Sequence, residues 1–163
     1  MKLSVKLGAC AIVLSVVGGV AACGGSESSA PAVEVSQDVI NAVKARQANF
    51  SDVGAAFKAI SDEMKAGRPD SATVEFSIKT MQQYSNSIDS WFLEGSGPES
   101  GLEMEAKASI WSEPEAFAEQ ISNFKTAVAG LSEAIDDPEL LPAKFRAAGG
   151  TCKSCHDTFR EED

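Results

Sequence analysis

The sequence predicts an all-α domain: an antiparallel, up-down-up-down four-helix bundle. Three observations lead there. Four stretches carry apolar residues at the spacing of amphipathic helices, no stretch shows a convincing strand alternation, and Gly, Pro and Asp turn signals separate the four. The 163 residues suffice for one domain with a real core, and 44% hydrophobic with 7% aromatic residues is an ordinary water-soluble composition.

The first helix is expected over residues 36–66, with Gly67 and Pro69 as stop signals. Its seam is Ile40, Val43, Gln47, Phe50, Gly54, Phe57, Ser61 and Met64, backed by Val53 and Ile60. The second starts after Asp70, read as its N-cap, and carries Val74, Ile78, Met81, Ser85, Ile88 and Phe92 on one stripe. Residues 94–107 include Gly95, Gly97, Pro98 and Gly101 and read as a loop. Ser112-Glu113-Pro114-Glu115 reads as a capping box with proline in the first turn. The third helix has the cleanest heptads: Phe117, Ile121, Phe124, Val128, Leu131 and Ile135. Asp137-Pro138 opens the fourth, whose seam is Leu141, Phe145, Ala148, Cys152, Cys155 and Phe159. Narrow stripes and short connections suit left-handed crossings of about 20°.

The N-terminus reads as a targeting segment. Lys2 and Lys6 make a positive n-region, and residues 7–20 form an apolar region too short for a comfortable membrane span. Val20-Ala21-Ala22-Cys23 looks like a lipobox, which makes Cys23 the lipidated first residue of the mature chain; the alternative is ordinary cleavage with Cys23 incidental. The expected organisation is a lipoprotein-type signal peptide (1–22), a Ser/Gly/Ala/Pro-rich tether (23–34) and the bundle (35–163). The protein is expected in the periplasm, held to the membrane only through Cys23. A net charge of −10 argues against nucleic acid and anionic membrane surfaces as partners.

Cys10 and Cys23 fall in the exported leader and at the new terminus, leaving two cysteines in the domain. These form Cys152-Lys153-Ser154-Cys155-His156, which contains the only histidine of the chain. C-x-x-C-H is the attachment signature of a c-type haem: two thiols become thioethers and the imidazole becomes an axial iron ligand. On a helix the three residues share one face, as a flat macrocycle requires. A zinc site wants four ligands and finds no second Cys/His cluster here, and a redox dithiol is expected beside a βαβ pattern that the chain lacks. Gly149 and Gly150 each cost about 1 kcal/mol relative to alanine inside a helix. They read as a close backbone approach to the haem, with a local kink as the alternative.

A C-terminal C-x-x-C-H closing a four-helix bundle resembles the cytochrome c′ family, the class II c-type cytochromes. The similarity covers roughly residues 43–160, strongest at 152–160 and at Val43-Lys44-Ala45-Arg46-Gln47, with Ile110-Trp111-Ser112 before the third helix. The resemblance implies one covalent haem c on Cys152 and Cys155, with His156 as proximal ligand. It also implies Arg46 and Gln47 near the haem propionates, Phe50 over the distal face, Glu105 at the haem edge and Arg160 beside the proximal imidazole. For Arg46 the alternative is a surface arginine paired with Asp38 or solvent. An antiparallel homodimer follows by family analogy.

With one histidine, bis-histidine ligation within a monomer is excluded, which leaves Met64, Met81 and Met104 as possible sixth ligands. Met64 lies about 21 Å along the helix from Phe50, Met81 is on the core stripe, and Met104 is in a loop. The expectation is a five-coordinate, high-spin iron capped by Phe50. A phenyl cap offers bound O₂ no hydrogen bond, whereas nitric oxide and carbon monoxide depend less on one. The resemblance also points to nitric oxide binding, for buffering or tolerance. The alternative is a periplasmic electron-transfer cytochrome with a redox partner. Enzymatic turnover is not expected, because no second histidine supplies distal acid–base help.

Overall fold

A computed structural model of the chain describes residues 34–162. The expected signal peptide, Cys23 and the tether up to residue 33 lie outside the described residues. The described residues form the expected four-helix bundle. Helix α1 spans Gln37–Lys65, α2 spans Ala72–Ser87, a single turn α3 spans Ser109–Ser112, α4 spans Pro114–Asp136 and α5 spans Leu141–Phe159. The long helices are α1, α2, α4 and α5. Among the described residues, no helix is long and apolar enough to cross a membrane.

Local chemistry sets the helix ends. Ser36 is extended and its Oγ accepts from the Val39 N–H at 3.3 Å, starting α1. Gly67, at φ 71°, takes the left-handed conformation that terminates the helix and favours glycine. The cap of α2 is Ser71 rather than the expected Asp70. Ser71 is the residue with extended backbone, and its Oγ accepts from the Val74 N–H at 3.3 Å. Ile88 and Phe92 lie past the end of α2, where the chain tightens into a 3-10 turn at Ile88–Trp91 that buries Trp91.

The expected capping box before α4 does not form. Ser112 is already helical as the last residue of α3, so it cannot adopt an extended cap conformation, and Glu113 flanks α4 without a side-chain cap. Pro114 opens α4 as expected. Asp137 accepts from the Glu139 N–H at 3.2 Å, starting a 3-10 turn, Pro138–Leu140, ahead of α5.

The helices pack in the order α1–α2–α4–α5. Ile60, Ile78, Met81, Val128, Leu131 and Leu141 are wholly buried at these seams. Each such side chain contributes about 2 kcal/mol of apolar burial. Helix α5 runs through Gly149 and Gly150 without a break. Gly149 does serve a close approach, to a side chain of α1: a Cβ there would lie 3.0 Å from Phe57 Cζ, and Phe57 stacks on Phe145 at 4.0 Å. Elsewhere the backbones of α1 and α5 stay apart, and the space between them is the main cavity.

The loop between α2 and α3 folds back over the end of that space. Ala106 and Arg160 form an isolated antiparallel bridge, flanked by Lys107 N–H to Phe159 O at 3.0 Å and Glu161 N–H to Glu105 O at 2.7 Å. These bonds pin the loop to the C-terminus of α5.

Candidate cofactor site

The cavity measures about 1000 Å³ and is walled by α1, α4, α5 and the loop. Phe50, Phe57, Phe92, Phe117, Phe124 and Phe159 make most of its lining apolar. Cys152, Cys155 and His156 all line it from α5, because the i, i+3, i+4 spacing puts them on one helical face.

Both cysteines stand as free thiols. Burial pushes the Cys152 thiol up; burial, and then the neighbouring Cys152, push Cys155 to about 11. Nucleophilic redox cysteines have depressed values, so these two neutral thiols are unlike a thioredoxin-type pair. His156 keeps much of its surface open to solvent. Partial burial and the nearby Arg160 charge hold its imidazole below the usual basicity, against Glu105 and Asp157, which favour protonation. The neutral form is the one that ligates metals. Among the described residues, no three His, Cys, Asp or Glu side chains converge into a metal-holding group.

Arg46 occupies the polar end of the cavity and is only 3% exposed. Its Nη1 donates to Ser96 Oγ and its Nη2 to Ser96 O, each at 3.0 Å, and Nη2 also approaches Met104 Sδ at 3.5 Å. The guanidinium lies 5.1 Å from the Phe92 ring centre and 5.5 Å from that of Trp111. Burial lowers its pKa and Glu99 opposes that shift. The alternative of a surface arginine paired with Asp38 is therefore excluded. Gln47 Nε2 donates to Glu103 O at 3.1 Å.

Phe50 lines the cavity from α1, edge-on to Trp91 at 5.1 Å and to Phe92 at 6.2 Å. Arg160 Nε donates to Glu105 Oε2 at 2.6 Å, joining two residues that the sequence suggested separately. That bond lowers the Glu105 pKa. The domain residues singled out from the sequence, Arg160 included, thus border one cavity. Met104 joins them on the wall, whereas Met81 is wholly buried core.

Sequence reasoning missed Ser96. This serine is fully buried in the glycine-rich loop, where its Oγ also donates to Leu93 O at 2.6 Å. Gly97 beside it allows contact with Trp111, since a Cβ there would come within 2.9 Å of the indole. The glycines and proline signalled a turn, but nothing in them signalled an arginine-binding latch.

A haem fits this donor set. Two thiols and an imidazole face one apolar cavity, and a buried guanidinium with only neutral hydrogen-bond partners stands at its polar end, where an anionic group would be welcomed. Fold and site together define a four-helix-bundle protein of the c-type cytochrome class.

Comparison with known proteins makes this specific. Residues 41–160 match the family model described as Cytochrome C′, and the chain belongs to the cytochrome c′ family. It is 30% identical over 125 residues to cytochrome c′ of Alcaligenes xylosoxydans xylosoxydans, covering 75% of this chain and 94% of that one. Among solved structures, cytochrome c′ from "Rhodobacter Spheriodes" superposes with a TM-score of 0.69 at 29% identity, covering 77% of this chain and 99% of that one. A ferrous variant of cytochrome c′ from Alcaligenes xylosoxidans with bound NO gives 0.68 at 25% identity, covering 77% and 97%. Membership implies a covalently bound haem c; the family is periplasmic and generally non-enzymatic.

Proposed function

We propose that this protein is a periplasmic haem c protein that binds small diatomic gases, chiefly nitric oxide, for buffering or tolerance. The observation that carries the reading is the convergence of Cys152, Cys155 and His156 on the wall of an aromatic cavity that Phe50 also lines. The NO-bound structural neighbour supports the choice of gas. A haem held here would supply an iron able to bind a diatomic gas.

The chain's own residues do the rest. Cys152 and Cys155 would hold the porphyrin through thioethers. His156, its basicity lowered by partial burial and then by Arg160, would present a nitrogen lone pair as the proximal donor. Arg46, already oriented by Ser96, and Gln47 receive the propionates at the polar end. Glu105 and Arg160 clasp each other at the haem edge and hold the loop over the proximal side. Phe50 would cap the distal side with a phenyl ring that donates no hydrogen bond, disfavouring O₂ relative to NO and rejecting larger ligands. The same reading takes the signal to be removed at residue 22, Cys23 to carry a lipid, a tether to run to 34 and the bundle to form a homodimer.

Titration of the ferrous holoprotein with NO, monitored by absorption, tests the proposal. Stoichiometric capture of NO with little O₂ binding is expected. A six-coordinate low-spin spectrum indifferent to NO would instead favour the electron-transfer alternative.

A further inference from the structure

From the cavity wall at Phe50, an aromatic chain leads away through Trp91 to Tyr84. Phe50 meets Trp91 edge-on at 5.1 Å, and Trp91, only 7% exposed, meets Tyr84 edge-on at 5.9 Å. Tyr84 is partly exposed and is the single tyrosine of the chain. Its Oη donates to Asp52 Oδ2 at 2.5 Å, a short charge-assisted bond between α2 and α1.

We infer that Trp91 and Tyr84 form an oxidisable relay that carries an oxidising equivalent from the cofactor pocket to the surface when hydrogen peroxide attacks. The inference rests on the haem reading of this cavity.

The chemistry balances with hydrogen peroxide as oxidant. Its O–O bond breaks, and it takes two electrons and two protons to become two waters. One electron comes from the ferrous haem, which ends ferric. Tyr84 gives the other through Trp91; its O–H bond breaks, the proton crosses to Asp52 Oδ2 and then to solvent, and a neutral phenoxyl radical remains. The net draw from solvent is one proton.

Electrostatics selects this route over the second tryptophan. The Arg46 guanidinium lies 5.5 Å from the Trp111 ring and 5.1 Å from Phe92. A cation beside a ring opposes removal of an electron from it. The Trp91 branch ends instead on a phenol already bonded to a carboxylate, so its proton has an acceptor as the electron leaves. Carrying the hole there spares the porphyrin and its attachment sulfurs.

The test uses holoprotein whose haem content is first fixed by the pyridine haemochrome assay. Reduced protein is mixed with one equivalent of hydrogen peroxide and freeze-quenched for electron paramagnetic resonance. A tyrosyl signal is expected, and with one tyrosine it belongs to Tyr84. Tyr84→Phe, which keeps the ring and its packing, abolishes the signal, and Trp91→Phe diminishes it. Asp52→Asn slows its appearance and returns the phenol titration, followed by ultraviolet difference absorbance, toward that of free tyrosine. Haem-loaded protein with no tyrosyl signal, or a signal undiminished in Trp91→Phe, overturns the relay alone. A chain that carries no haem overturns the cofactor reading, and the relay falls with it.

Discussion

Gly149 and Gly150 are adjacent in α5, yet replacing each by alanine should have opposite consequences. In a helix interior the change from glycine gains about 1 kcal/mol from backbone entropy alone. A Cβ at Gly150 meets nothing within 4 Å, so Gly150→Ala keeps that gain. A Cβ at Gly149 would sit 3.0 Å from Phe57 Cζ, whereas carbon atoms pack best at about 3.5–4.0 Å. The ring must therefore give by a few tenths of an ångström. Phe57 is itself stacked on Phe145 at 4.0 Å, so its movement disturbs a second contact. Overpacking of this kind costs about 1–3 kcal/mol, which cancels or outweighs the helical gain. The two variants should differ by about 1–3 kcal/mol, with Gly150→Ala the more stable. At roughly 3 °C per kcal/mol for a domain of this size, thermal denaturation of the holoproteins by circular dichroism resolves the difference. Equal stabilisation by both substitutions would refute the packing argument.

Three further predictions concern the site. Arg46→Leu removes both bonds to Ser96 and the cation between two rings, and should cost about 2 kcal/mol in urea denaturation, with the loop loosened; unchanged stability would mean that the latch contributes nothing. The lowered Glu105 pKa means that its bond with Arg160 stabilises the fold fully above the ordinary carboxylate value and is lost as pH falls through the lowered one. Glu105→Gln should therefore shallow the acid limb of the stability–pH curve, and an identical limb would count against the clasp. Cys155→Ala should leave haem attached through Cys152 alone, whereas replacing both cysteines should let acid–acetone strip it; haem that resists extraction from the double variant would contradict the assigned attachment.

The helices were legible because burial is periodic. Val74, Ile78 and Met81 recur at helical spacing along α2, and that spacing already states which face is covered. The meeting of Cys152, Cys155 and His156 on one cavity wall was legible because the three lie within about one turn of α5. Cap details were less so: Asp70 and Ser71 are both good caps, and only the backbone conformation chooses Ser71. The loop was opaque. Its contacts join residues far apart in sequence, Ser96 to Arg46 and Glu105 to Arg160, and no periodicity says which helix end a loop will cover. Met104 reached the cavity wall by the same folding, from a segment that looked remote from the site.

Gas binding at this site requires His156 to be the sole protein ligand of a haem iron beneath an apolar cap. Absorption and resonance Raman spectra of the ferrous holoprotein, recorded without added gas, read that coordination. A five-coordinate high-spin spectrum is expected. A six-coordinate low-spin spectrum, with sulfur from a residue such as Met104 on the sixth position, would contradict it.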